Sequence, residues 1–123
     1  MSVGVGIVGC GMIANFHAKA IADANHAHLV GCFNRSTEKA QAFSEMHGGK
    51  VFSSLEEMIA DPEIQALSIC TPSGAHLDPA LAGAKAGKHI LIEKPLEITT
   101  ERCDAIINAC RDAGVQLAVT FQS

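Results

Sequence analysis

Residues 5–20 read VGIVGCGMIANFHAKA, and this stretch decides the fold. The segment 3–8 is an apolar run interrupted only by glycine, short enough for a strand buried on both faces. Gly9, Gly11 and Ala14 then spell G-x-G-x-x-A, and a helical pattern follows over 12–23. A strand that turns through two glycines straight into a helix opens a βαβ unit of about 30 residues. In that setting Gly9 permits the tight turn, and Gly11 removes a side chain where a pyrophosphate must approach. Ala14 lets the helix pack close to the sheet. The amides that open the helix, from Met12, Ile13 and Ala14, face the phosphates, favoured by the positive end of its dipole. A dinucleotide is the ligand this arrangement predicts; a glycine turn serving packing alone, or another nucleotide-like ligand, is the alternative.

Outward from this segment, apolar runs of strand length alternate with longer stretches of helical period. Strands are expected at 3–8, 29–33, 51–52, 66–70, 89–92 and 117–121, and helices at 12–23, 37–47, 55–60, 77–86 and 100–113. The pattern predicts one α/β domain over 1–123, a doubly wound Rossmann unit with a six-stranded, mostly parallel sheet. In the last helix Cys103, Ile106, Ile107, Cys110 and Ala113 fall at three- and four-residue spacing. They form an expected core-facing stripe, with Thr99 or Thr100 to cap the start and Gly114 after the end.

The end of the second strand should meet the adenosine ribose, about 20 positions past the glycines. Asn34 stands there, followed by Arg35, Ser36, Thr37 and Lys39. A carboxylate at this place accepts from a 2′-hydroxyl and repels a 2′-phosphate, whereas Asn34 carries no charge to repel it. The Arg35 guanidinium can pair with a 2′-phosphate or stack on adenine, and the Ser36 hydroxyl can donate to the same oxygens. The residues lean to NADP, with NAD compatible. Ser36 and Thr37 also suit the N-cap of the second helix, and both roles can hold together.

Composition narrows the partners. A formal net charge of -4 lacks the basic footprint that would neutralise nucleic-acid phosphates, so no nucleic acid is expected. No apolar stretch of about 18 residues and no basic leader is read, so neither a membrane span nor secretion is expected. Five scattered cysteines, Cys10, Cys32, Cys70, Cys103 and Cys110, form no C-x-x-C pair. They fit a reduced cytoplasmic setting as small apolar residues, with no metal site expected. His17 reads as a packing residue of the helix face, and His26 and His28 as loop residues with no partner in view.

Two further segments, CTPSGAH at 70–76 and HILIEKPLEIT at 89–99, follow the fourth and fifth strands. They lie at the carboxyl edge of the sheet, where ligands of open α/β folds bind. Location makes them candidates without assigning chemistry. Taken with G-x-G-x-x-A and His17, the Thr-Pro-x-x-x-His pattern of Thr71 to His76, Glu93-Lys94-Pro95 and the closing FQS make the whole chain resemble the Gfo/Idh/MocA oxidoreductases. The resemblance implies that Lys94 is the catalytic group, reaching the nicotinamide and the substrate hydroxyl. It implies that Glu93 orients the lysine, and that Thr71, Pro72 and His76 line the cofactor cleft. It also implies a second, C-terminal domain, absent here, that would hold a sugar, inositol or related polyol and build a homo-oligomer in the full-length protein. On that reading this chain binds the cofactor without turnover. A non-catalytic dinucleotide sensor is the second reading, against which Lys94 argues. A fold binding S-adenosylmethionine has no use for Glu93-Lys94-Pro95.

Overall fold

The computed structural model describes residues 2–71, 77–93 and 100–120. The elements run β1 (Val3–Val8), α1 (Met12–Asp23), β2 (Ala27–Phe33), α2 (Thr37–His47), β3 (Lys50–Val51) and α3 (Leu55–Ala60). They continue with β4 (Ala66–Ile69), α4 (Leu77–Lys85), β5 (His89–Glu93), α5 (Thr100–Ala113) and β6 (Leu117–Thr120). The six strands form one sheet in the order β3-β2-β1-β4-β5-β6, every pair parallel.

Right-handed crossovers place α1 and α2 on one face and α3, α4 and α5 on the other. Two cores result. Ile7, Ala14, Ala18, Cys32, Ala40 and Phe43 pack beneath α1 and α2. The larger core gathers Leu67, Ile69, Ile90 and Ile92 from the sheet with Met58, Ala80, Ala84, Ile106 and Cys110 from the helices. Glycine lets neighbouring segments approach: a Cβ on Gly31 of β2 would stand 2.5 Å from Lys50 O, and one on Gly83 of α4 would stand 2.6 Å from Leu67 Cδ1.

Serine caps set the starts of two helices. Ser36 Oγ accepts from Lys39 N at 3.4 Å and Ser54 Oγ from Glu57 N at 3.0 Å. Gly114, at φ 71°, follows the end of α5.

Several expectations need correction. Strand β2 starts at Ala27, because Ala27 and His28 pair with Val3 and Gly4. His28 is therefore a strand residue with partners: its ring meets Ser2 Oγ at 2.7 Å and Glu63 Oε2 at 3.2 Å. Strand β3 is Lys50–Val51; Phe52 is buried but lies past the ladder. Strand β4 ends at Ile69, β5 reaches Glu93 and α4 ends at Lys85. On α5 the stripe is narrower than its spacing suggests, since Ile106 and Cys110 are buried while Ile107 and Ala113 are exposed. Phe121, at the expected end of β6, lies outside the described residues.

Candidate functional site

The order of the strands reverses direction between β1 and β4, and the chain leaves both at the same edge. Open α/β sheets bind ligands in the crevice that such a reversal creates. Three strand ends are tied together there: Gly9 N donates to Phe33 O at 2.8 Å and Cys70 N to Val8 O at 2.8 Å. Gly9 has φ 91°, and a Cβ on it would stand 2.9 Å from Thr71 N and 3.0 Å from the Cys70 carbonyl carbon. Glycine at position 9 is thus dictated twice, by backbone conformation and by the approach of the β4 exit.

Gly11 differs. Its φ of -83° and ψ of -165° suit any residue, and nothing lies within 4 Å of where its Cβ would be. No part of the described chain demands a glycine there, and the space it leaves fits a ligand approaching the backbone. Gly11 is also the N-cap of α1 and provides no side-chain capping bond. The amides of Met12 and Ile13 lack intrahelical acceptors by helix geometry and are available to an anion. Ala14, fully buried, seats the helix on the sheet. These features fit a dinucleotide pyrophosphate.

At the end of β2, Asn34 Oδ1 accepts from Cys10 N at 2.9 Å, and Asn34 Nδ2 donates to Ser36 O at 3.2 Å. Arg35 beside it is exposed. Beneath the loop, Cys10 and Cys70 pack against the core that holds Cys32. A hydrogen bond to Cys32 together with burial pushes the Cys10 thiol far up, so it stays protonated. None of the five cysteines is joined in a disulfide.

Thr71 is half-buried at the crevice and Glu93 ends β5 on the same edge. Pro72, His76 and Lys94 lie outside the described residues. The packing role expected for His17 was incomplete: its Nδ1 lies 2.6 Å from Ser68 Oγ, joining α1 to β4. A lone serine inside the apolar strand ALSI was the available signal, since buried hydroxyls are hydrogen-bonded. A groove of about 490 Å³ lies along α1, lined by Phe16, Ala20, Ile21, Ala24 and Leu91 among others. It is apolar and reaches Ala27 at the opposite, amino-terminal edge, so the phosphate chemistry belongs to the crevice instead.

Comparison with known proteins agrees with this geometry. The model of an oxidoreductase family with an NAD-binding Rossmann fold, Gfo/Idh/MocA, matches residues 3–121. The 1,5-anhydro-D-fructose reductase of Ensifer adhaerens is 34% identical over 113 residues, 91% of this chain and 34% of that protein. The inositol 2-dehydrogenase of Rhizobium meliloti is 34% identical over 121 residues, 98% of this chain and 36% of that protein. Among solved structures, the WlbA dehydrogenase of Bordetella pertussis, in complex with NADH and UDP-GlcNAcA, superposes with a TM-score of 0.91 at 39% identity. That likeness covers 96% of this chain and 36% of WlbA. The chain thus spans about a third of the length of the relatives it matches. With nearly every residue inside the family match and the glycine turn at the sheet's reversal point, this chain belongs to the Gfo/Idh/MocA oxidoreductases.

Proposed function

We propose that this domain holds NAD(P) for hydride transfer to or from a hydroxyl-bearing carbon of a sugar, inositol or related polyol. The observation that carries the reading is the loop at the reversal point, where Gly11 leaves open space beside the amides that open α1. When bound, the nicotinamide supplies the hydride acceptor or donor at C4. The chain's own residues bind and orient. Gly9, Gly11, Met12, Ile13 and Ala14 form the pyrophosphate cradle, Asn34, Arg35 and Ser36 form the ribose end, and Thr71, Pro72, His76 and Glu93 line the cleft. Lys94 is the catalytic residue of this proposal: as an amine it takes the hydroxyl proton while hydride leaves the carbon, and as an ammonium it returns that proton to the oxygen in the reverse direction. Glu93 orients it.

The lack of a carboxylate at position 34 and the exposed Arg35 favour NADP over NAD. Substrate contacts and subunit contacts fall to a second domain, so this chain alone binds cofactor without turnover. Calorimetric titration of the chain with NADPH and NADH at moderate salt tests the proposal. Tighter NADPH binding supports the site and its preference; tighter NADH binding keeps the site and removes the preference. No heat with either would sink cofactor binding by this domain.

A further inference from the structure

We infer that Asn34 is a positioning residue, locking the glycine loop to the ribose loop through its side-chain amide. The inference rests on reading the crevice as an NAD(P) site. Its ground is the pair of bonds that use both ends of one side-chain amide: Cys10 N donates to Oδ1 at 2.9 Å, and Nδ2 donates to Ser36 O at 3.2 Å. The assignment is forced, because turning the amide over would set its NH₂ against the Cys10 N–H and its oxygen against the Ser36 carbonyl.

The consequence for the loop is specific. Gly9 N is held by Phe33 O and Cys10 N by Asn34, so two successive loop amides are anchored to the end of β2. The phosphates are therefore left to the amides that begin α1. Ser36 in turn caps α2 through Oγ, so the Asn34 side chain links the loop that precedes α1 to the residue that caps α2. An aspartate could accept from Cys10 N but could not donate to Ser36 O; an asparagine does both. Neutrality at position 34, which reads in the sequence as tolerance of a 2′-phosphate, is also what the chain needs to tie its own loops.

Titration of the wild type, Asn34→Ala and Asn34→Asp with NADPH and NADH, together with amide hydrogen exchange at Cys10, tests this. A clamp predicts that Asn34→Ala weakens both cofactors by about tenfold, leaves their ratio unchanged and speeds Cys10 exchange. Asn34→Asp keeps the acceptor, so Cys10 stays protected and NADH binding is retained, while the added charge weakens NADPH. Intact Cys10 protection in Asn34→Ala, or a changed cofactor ratio in that variant, overturns the inference. Should Asn34→Ala fail to fold, Asn34→Asp decides: protected Cys10 supports the clamp and exposed Cys10 overturns it. If the wild type binds neither cofactor, the NAD(P) reading fails separately, and Cys10 exchange still decides whether Asn34 is the clamp.

Discussion

His17 Nδ1 lies 2.6 Å from the hydroxyl of Ser68, a residue 1% exposed in the middle of β4. The bond fastens the helix that begins at the glycine loop to the strand on the far side of the crevice. It should therefore appear as a coupling between the two positions. Single His17→Ala and Ser68→Ala variants and the double variant are expected to show an interaction of about 1 kcal/mol in urea unfolding. Strictly additive losses would remove the bond's role in holding α1.

Gly9 and Gly11 should separate folding from binding. Gly9→Ala forces a side chain into a φ of 91° and against the Thr71 amide, and should destabilise by about 1–3 kcal/mol. Gly11→Ala meets open space in an ordinary conformation, so its cost should stay below about 1 kcal/mol. Its methyl would occupy the space assigned to the pyrophosphate, so cofactor affinity should fall steeply. Unfolding midpoints beside NADPH and NADH titrations check both; a Gly11→Ala domain that binds normally would dissociate the loop from the ligand.

What the sequence made legible was punctuated locally. Helices α2 and α3 begin where read because Ser36 and Ser54 cap them within three residues. The glycine turn was readable because a positive φ under a crowding strand leaves one residue type. Features made by distant partners were not readable. His28 looks like a loop residue until β1 pairs with it, and Phe52 looks like a strand residue although the β2–β3 ladder ends before it. Asn34 is legible as an uncharged group near a ribose, but its bond to Cys10 spans 24 residues and exists only once the sheet aligns both loops.

Lys88 is 8% exposed, and its ammonium donates to Ile64 O at 2.6 Å and Asp61 O at 3.2 Å. It pins the turn between α3 and β4 by satisfying two carbonyls. Lys88→Met keeps the apolar stem and deletes the donors, so it should destabilise by about 1–3 kcal/mol despite removing a buried charge. A variant as stable as the wild type by urea denaturation would mean that water replaces the ammonium at no loss.

In the same turn, the Asp61 carboxyl is held below its usual range, chiefly by the Glu63 amide at 2.8 Å, and further by Lys50 at 3.3 Å and the charge of Lys88. A folded-state value below the unfolded one means that the ionised group stabilises the fold above about pH 4. That contribution is lost as pH falls through the folded value. Asp61→Asn should therefore be less stable than the wild type at pH 7, with the gap closing in acid. A gap independent of pH would assign the loss to geometry rather than charge.

Lys94 carries the catalytic proposal, and its effect must show in chemistry rather than affinity. Of the three side chains Glu93, Lys94 and Pro95, that of Lys94 is the one able to donate to an alkoxide at neutral pH. In a polypeptide that pairs this domain with a substrate domain, Lys94→Ala should lower kcat by about a hundredfold or more. Cofactor Kd should move little, because the proposed pyrophosphate cradle is built from other residues, Gly9 to Ala14. Lys94→Arg retains charge but not the compact ammonium, so it should leave cofactor affinity unchanged and restore kcat only in part. The pH profile adds a second discriminator: a lysine that handles the substrate proton gives the wild type a limb that Lys94→Ala lacks. Loss of cofactor binding with kcat preserved would make Lys94 a phosphate or ribose contact and leave the proton chemistry to another residue.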